Sequence, residues 1–201
     1  MIWDDCSKLI KPGEHSVFSP SQPAFFGYTK EKLLEAYRNK QAAAEGTKYH
    51  EFAAKCILLG ERLEKRKRTL NMYVNDAIHY KMDPEVRLYF STHFSGTADA
   101  IQYYEKKKFL RIHDLKTGVT KASMAQLEGY AALFFLQYGK RLKINPEDCG
   151  MEFRIYQMDE IIVYDPDPED IRFKMDTYID FEEFLSEYDA DTKGVKGGLF
   201  I

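Results

Sequence analysis

The chain has 201 residues, a hydrophobic fraction of 44% and a formal net charge of -3 at pH 7. This size and apolar content predict one globular domain with a single core, and the small net charge excludes a global basic field that would attract nucleic acid. The three cysteines are scattered, without a CxxC pair, which argues against a disulfide framework or a zinc knuckle. No apolar run is long enough to cross a bilayer, so we expect a cytoplasmic protein that is neither exported nor inserted in a membrane.

The first third of the chain predicts an irregular lead-in followed by helices. Residues 1–22 are rich in turn-forming residues, and Thr29 is a suitable N-cap for a helix. Apolar side chains recur at helical spacing from Ala42 to Leu70, which predicts a long amphipathic helix. His50 lies on this helix one turn after Gly46. A histidine beside an apolar face is either a structural residue or a ligand, and a metal ligand is the functional alternative here.

Basic residues dominate the stretch from Glu61 to Arg68, which we expect to form the end of the same helix. Cations at a helix C-terminus complement the macrodipole, so this position explains them without a ligand. Contact with phosphate groups is the alternative. A strand from Val86 to Phe94 is expected to follow and to lead into the middle of the chain.

The clearest hairpin signal surrounds Glu105–Lys108, a charged break between two apolar and aromatic runs. If these four residues form the turn, Tyr104 faces Phe109, and counting back along both strands places Asp99 opposite Asp114. Opposed Cβ atoms on one sheet face lie about 4.5 to 5.5 Å apart, and like charges at that separation repel. The acid pair therefore needs a compensating cation, for which a divalent metal ion is the simplest candidate.

Side-chain alternation along the second strand places Lys116 on the same face as Asp114. Two acids and one lysine then converge on one point. This arrangement suits metal-assisted hydrolysis of a phosphodiester, with Mg2+ or Mn2+ as the hard cation, bound as one or two ions. Lys116 would orient the attacking water or neutralise developing charge. The alternative is a surface hairpin with ordinary solvated charges.

The last third of the chain predicts a second strong helix from Lys121 to Tyr138. Gln126 and Tyr130 are four residues apart on it and therefore neighbours on one face. They form either a hydrogen-bonded pair inside the core or a ligand contact. A closing hairpin, one or two helical pieces and a flexible tail are expected beyond it, over the ranges Met151–Gln157 with Ile161–Tyr164, Glu169–Tyr188 and 189–201.

Four short motifs follow one another in the order Gly46-x-x-x-His50, Gly96-x-x-Asp99, Asp114-x-Lys116 and Gln126-x-x-x-Tyr130. In this order they resemble the PD-(D/E)XK nuclease superfamily. The last and first motifs look like its RecB-type branch, which includes bacterial recombination nucleases, Cas4-like proteins and phage exonucleases. The resemblance implies an α/β (α+β) restriction-endonuclease-like core, with a mixed central sheet and a catalytic β-hairpin flanked by helices. Residues 1–201 would form one such nuclease domain.

The resemblance also implies a role for each motif residue. It implies that metal is bound by His50, Asp99, Asp114 and the main-chain carbonyl of Leu115, that Asp99, Asp114 and Lys116 are catalytic, and that Gln126 and Tyr130 contact DNA. One departure is Ala54, which stands where the family has a glutamate four residues after the histidine. Relatives with an iron-sulfur cluster use four cysteines, so we expect no such cluster in a chain with three.

The function implied is that of an Mg2+- or Mn2+-dependent deoxyribonuclease, an exonuclease of recombination, repair or replication in a bacterial or phage-infected cell. DNA would be its partner, and a homo-oligomer or a recombination or replication protein would be a further one. One alternative is a catalytically silent nucleic-acid-binding or scaffold protein on the same fold. Another is a metal enzyme that acts on a different phosphate ester.

Overall fold

The computed structural model describes residues 17–196, so residues 1–16 of the predicted lead-in and 197–201 of the predicted tail lie outside the described residues. The chain divides into two compact units, Met1–Lys48 and Tyr49–Ile201. In the first unit a short 3-10 turn, Pro23–Gly27, precedes helix α1, Lys30–Leu59. The Lys32 amide donates a hydrogen bond of 3.3 Å to Thr29 Oγ1, so the predicted N-cap is confirmed.

Helix α1 differs from the sequence prediction in the residue at which it ends and in the exposure of Phe52. It ends at Leu59 rather than Leu70, because Gly60 follows with φ +67, a left-handed conformation that closes helices. In the second unit its buried side chains are Ala53, Cys56 and Ile57. Phe52, which the pattern placed on the apolar face, is 48% exposed. Ala53, Cys56 and Ile57 of the predicted apolar face are therefore buried, whereas Phe52 is not.

One open, mixed sheet of five strands lies at the centre of the second unit, in the order β1-β2-β3-β4-β5. The strands are β1 Asp83–Tyr89, β2 Ser95–Tyr104, β3 Phe109–Leu115, β4 Gly150–Gln157 and β5 Glu160–Tyr164. Strands β3 and β4 run parallel, and every other neighbouring pair is antiparallel. The predicted mixed sheet flanked by helices is confirmed.

The hairpin of β2 and β3 has the predicted register. Tyr104 pairs with Phe109 and Ala100 with His113, and the next step of that register places Asp99 opposite Asp114. The turn is a 3-10 segment, Glu105–Lys107, closed by Lys108 in the left-handed region. Two apolar and aromatic runs on either side of one charged break were sufficient to predict this pairing.

Helices cover both faces of the sheet. Helix α2, Thr69–His79, and the end of α1 pack on one face around Tyr73, Leu115 and Tyr156. Helix α3, Ala125–Leu142, packs on the other face, and α4, Pro168–Lys196, packs against α3. The core on that side includes Leu127, Phe134 and Phe153. The end of the sheet that carries Asp99 and Asp114 therefore lies between these two layers.

Two further differences from the sequence prediction concern the helices. Helix α2 begins at Thr69 and lies mostly beyond Leu70, where the predicted long helix ends, and the basic stretch before it is a loop rather than a helix end. Helix α4 is a single helix that continues through residues 189 to 196 of the predicted tail. Within residues 17–196, the structure contains no helix that is long and apolar enough to span a membrane.

Candidate metal centre

Three acidic residues lie side by side across three neighbouring strands. In the pairing of β1 with β2, Pro84 faces Ala100 and Val86 faces Ala98, which leaves Glu85 opposite Asp99. Asp99 is therefore the central member of a row whose outer members are Glu85 on β1 and Asp114 on β3. Three carboxylates at adjacent positions repel one another, so the row favours a bound cation.

His50 reaches this row from helix α1. Its Nδ1 lies 3.3 Å from Asp99 Oδ2. His50, Glu85 and Asp99 each offer a ligand atom, these atoms lie within 4.8 Å of one another, and no other such group occurs in the part of the chain that the structure describes. The hydrogen bond to Asp99 raises the pKa of His50, partial burial opposes it, and the charges of the three acids add to the increase. The structure thus places His50 at the acids, as the sequence motifs predicted.

Glu85 was not among the predicted site residues. Its φ of 52 lies in the left-handed region, which is unfavourable for a residue other than glycine and is often found at functional sites. Glu85 is exposed overall, and partial desolvation of its carboxyl group, followed by the charge of Asp99, raises the pKa of Glu85. Only the register of β1 against β2 brings Glu85 to the site. The local sequence around it carries no signal for that register.

Asp114 lies beside the group of three ligands, deeper in the protein, and is only 1% exposed. Burial is the main cause that raises the pKa of Asp114; Asp99 adds to the increase and Lys116 opposes it. Lys116 Nζ donates a hydrogen bond of 3.0 Å to Oδ1 and also lies 3.0 Å from Oδ2. The geometry of the second contact is poor, and Oδ2 accepts no hydrogen bond from the described residues. The Lys116 ammonium is therefore the cation nearest to this buried oxygen among the described residues, and the oxygen keeps capacity for a further ligand.

Lys116, Gln126 and Tyr130 form a chain of hydrogen bonds from the end of β3 to helix α3. Lys116 Nζ donates to Gln126 Oε1 over 2.7 Å, and Gln126 Nε2 donates to the Tyr130 hydroxyl over 2.9 Å. Gln126 is exposed, so the alternative of a Gln-Tyr pair inside the core does not hold. The last two predicted motifs are therefore joined in space, and their polar atoms face the acids.

Leu115 contributes through its backbone. Its amide donates a hydrogen bond of 2.9 Å to Asp99 Oδ2, which fixes the orientation of that carboxylate. The Lys116 amide donates to the Tyr156 carbonyl over 2.9 Å and holds the end of β3 against β4. Binding of metal by the Leu115 carbonyl oxygen stays a prediction.

Gly96, from the second sequence motif, makes room for Tyr130. A Cβ atom at Gly96 would lie 2.7 Å from Tyr130 Cε1, a distance that real Cβ atoms do not adopt. The tyrosine ring therefore packs directly on the backbone of β2. This contact connects the glycine of one motif to the tyrosine of another.

We expect Gly96→Ala to destabilise the protein by about 1 to 2 kcal/mol, because the ring of Tyr130 must move and overpacking costs this much. Urea denaturation would measure the loss. In a Tyr130→Ala background the same substitution should cost far less, since the clashing ring is gone. Equal costs in the two backgrounds would show that the contact is not the cause.

The donor set of the site fits a divalent cation such as Mg2+ or Mn2+. Carboxylate oxygens from three strands are hard ligands, an imidazole nitrogen is compatible with Mn2+, and Asp114 Oδ2 lacks a donor among the described residues. Lys116 supplies one permanent positive charge beside three acids, so negative charge remains in excess when His50 is neutral. The donor atoms of His50, Glu85 and Asp99 are therefore chemically compatible with a divalent ion.

Comparisons of the chain with protein-family models, with curated proteins and with solved structures returned no match.

Proposed function

We propose that the protein is an Mg2+- or Mn2+-dependent DNA nuclease built on a restriction-endonuclease-like core. The observation that carries the proposal is the convergence of Glu85, Asp99 and Asp114 with His50 and Lys116 at one end of the sheet. Acids from neighbouring strands can hold a metal ion, and a lysine two residues beyond one of them adds a positive charge, an arrangement that suits metal-assisted phosphodiester hydrolysis.

The metal ligands on this proposal are His50, Glu85, Asp99 and Asp114, with the Leu115 carbonyl as a further donor. A bound divalent ion would polarise a phosphoryl oxygen and lower the pKa of a bound water molecule. Asp99 is central because it neighbours both other acids and accepts hydrogen bonds from the Leu115 amide and, when the ring is protonated at Nδ1, from His50. Its carboxylate is thereby held in one orientation before any ligand binds.

Lys116 is suited to act on the attacking water or on the phosphoryl group. An ammonium group has three donors, of which Asp114 and Gln126 accept two. The third donor is left for a water molecule or a phosphate oxygen. Because the two acceptors fix the position of Nζ, the charge is preorganised for the transition state rather than recruited during the reaction.

Gln126 and Tyr130 are suited to position the nucleic-acid strand. The Tyr130 hydroxyl accepts a hydrogen bond from Gln126, so its own proton remains to be donated to a phosphate oxygen. Burial raises the pKa of Tyr130, with Gln126 opposing, which keeps the hydroxyl protonated. An aromatic ring beside the acids also offers a surface on which a base can stack.

Exonucleolytic action in recombination, repair or replication, in a bacterial or phage-infected cell, is the role we propose for this activity. It rests on the resemblance of the four motifs to RecB-type nucleases. A catalytically silent scaffold on the same fold would have no need for the full set of acids and the lysine. An enzyme for another phosphate ester would hydrolyse small diesters with little response to DNA.

The test is cleavage of end-labelled linear DNA in the presence of Mg2+ or Mn2+, compared with EDTA. We expect metal-dependent release of nucleotides by the natural chain and a loss of about 1000-fold or more in Asp114→Asn, because the substitution removes a ligand charge and the partner of Lys116. Asp83→Asn, an exposed acid on the same strand as Glu85, is the control and should retain activity. Equal rates in the natural chain and Asp114→Asn would exclude this site.

A further inference from the structure

Basic side chains cluster in the loop that joins α1 to α2, on the face of the sheet opposite to α3. Together with the first turns of α2 they line a surface groove of about 650 Å³, which we call the basic groove. Its positively charged lining consists of Arg62, Lys65, Arg66 and Lys67, and His79 also lines it. A neighbouring concavity of about 550 Å³ shares His79 and adds Lys81, Lys107 and Arg111. The two concavities therefore meet at His79.

The loop that carries these cations is held in place by α2. The Leu63 amide donates to Asn75 Oδ1 over 2.9 Å, and Asn75 Nδ2 donates back to the Leu63 carbonyl over 2.9 Å. Asn71 Nδ2 donates to the Glu64 carbonyl over 2.9 Å. A fixed backbone lowers the entropy that the loop loses when its side chains bind a partner.

Few acids compensate the positive charge of the basic groove. Glu64 pairs with Arg66 over 2.8 Å. Asp76 is turned towards Arg154, at 3.1 Å. Lys65 and Lys67 are exposed and form no ion pair with any residue that the structure describes. Glu61 is the remaining acid of the loop, so the groove keeps a net positive charge in a chain whose total charge is -3.

Helix α1 connects the basic groove to the candidate metal centre. Gly60, where the loop begins, lies ten residues after His50, which corresponds to about 15 Å along a helix. Phosphates of one DNA strand follow each other at about 3.4 Å along the axis, so this length spans about four or five nucleotides. A strand bound at the metal centre is long enough to reach the groove.

We propose that the basic groove binds the sugar-phosphate backbone of DNA a few nucleotides away from the bond that is cleaved, an inference that rests on the proposed nuclease function. Flexible lysines bind phosphates as point charges without reading the sequence. The lining of the groove contains no Trp, Tyr or Phe, and its cationic side chains outnumber its two apolar ones, Leu63 and Met72. These two features favour a polyanionic backbone over a folded protein partner.

The test is DNA binding by the full chain in EDTA, where no cleavage occurs, measured by fluorescence anisotropy of a labelled duplex of about 20 base pairs at increasing salt. We expect the Lys65→Gln, Lys67→Gln pair to lower the affinity about tenfold or more near 0.1 M salt and to reduce the salt slope by about 1.8, or about 0.9 for each phosphate contact. The control pair, Lys140→Gln with Lys143→Gln, removes the same charge at the exposed far end of α3 and should change neither quantity.

The outcomes separate this inference from the proposed function. If the variant with both Lys65→Gln and Lys67→Gln binds the duplex with the same affinity and salt slope as the control pair, the inference that the basic groove binds DNA is overturned, whatever the cleavage assay gives. Binding that depends on the two lysines, in a chain that cleaves no DNA with Mg2+ or Mn2+, would support the groove and overturn the nuclease. If a polyglutamate peptide binds as tightly as the duplex and the variant loses the same affinity for it, the DNA inference is overturned in favour of an acidic protein partner.

Discussion

Asp99→Asn is expected to weaken Mn2+ binding by about 100-fold or more and to stabilise the metal-free protein. Asp99 lies between Glu85 and Asp114, so its charge is repelled from both sides when no ion is present. Removal of a residue that only hydrogen-bonds to a metal ligand lowers metal affinity by about 10- to 100-fold. Removal of a ligand itself should lower the affinity more. Relief of like-charge repulsion between opposed strand residues should raise the free energy of unfolding of the metal-free protein by about 0.5 to 1 kcal/mol.

Isothermal titration with Mn2+ and urea denaturation in EDTA would measure the two effects, at about pH 8.5 so that the imidazole of His50 carries the least charge. Asparagine keeps an oxygen that accepts the Leu115 amide, so the backbone contact survives the substitution. Asp83→Asn is the matched control and should alter neither quantity. Unchanged Mn2+ affinity in Asp99→Asn would contradict the metal centre, and a destabilised metal-free variant would show that the acid has a structural role instead.

The hairpin that carries Asp99 and Asp114 could be predicted because its information is local. Apolar and aromatic runs on both sides of one charged break define the turn, and the turn defines which residues face each other. The opposition of the two acids then follows by counting. The position of Lys116 beside Asp114 follows from the period of two along a strand.

Glu85 could not be predicted, because its place depends on non-local pairing. The five residues 90–94 separate β1 from β2 and carry no turn sequence that would set the register. The left-handed conformation of Glu85 is also a property of the folded strand, not of the residue type. The contact of Lys116 with Gln126 depends in the same way on the path of the loop before α3.

The end of helix α1 before Gly60 explains why the sequence prediction of this region was wrong. Gly60 is a C-cap residue at the end of α1, and that signal outweighs the apolar pattern that continues after it. The charges from Arg62 onwards are consequently displayed from a loop, where helix-dipole compensation does not explain them. Because the predicted helix was continued past Gly60, the sequence analysis predicted neither a separate helix α2 nor a basic groove in the loop before it.

Lys116→Met is expected to destabilise the metal-free protein by about 2 to 3 kcal/mol and to abolish cleavage. Its ammonium group is the cation that compensates Asp114, whose side chain is only 2% exposed. Removal of one partner leaves a buried charge without compensation, which typically costs about 3 to 5 kcal/mol. We expect the lower range because the lysine side chain is 29% exposed and its charge is partly screened.

Two conditions should restore the stability of Lys116→Met if this reasoning is correct. Mn2+ should restore it by taking over the compensation of Asp114. Acid should also narrow the difference from the natural chain, because burial raises the pKa of Asp114 in the folded state and Lys116 no longer opposes it. The stability gained by protonating Asp114 is complete below its unfolded pKa, and it is lost as the pH rises through the raised folded value.

Urea denaturation of Lys116→Met would measure both effects. The measurement is made with and without Mn2+, from neutral pH down to the unfolded pKa of Asp114. Lys116→Arg is the control: it keeps the charge beside Asp114 and should keep most of the stability, whereas cleavage should stay low because a planar guanidinium does not place its donors as an ammonium does. A Lys116→Met protein that is as stable as the natural chain in EDTA would contradict the charge compensation. Cleavage at the natural rate would exclude Lys116 from the reaction.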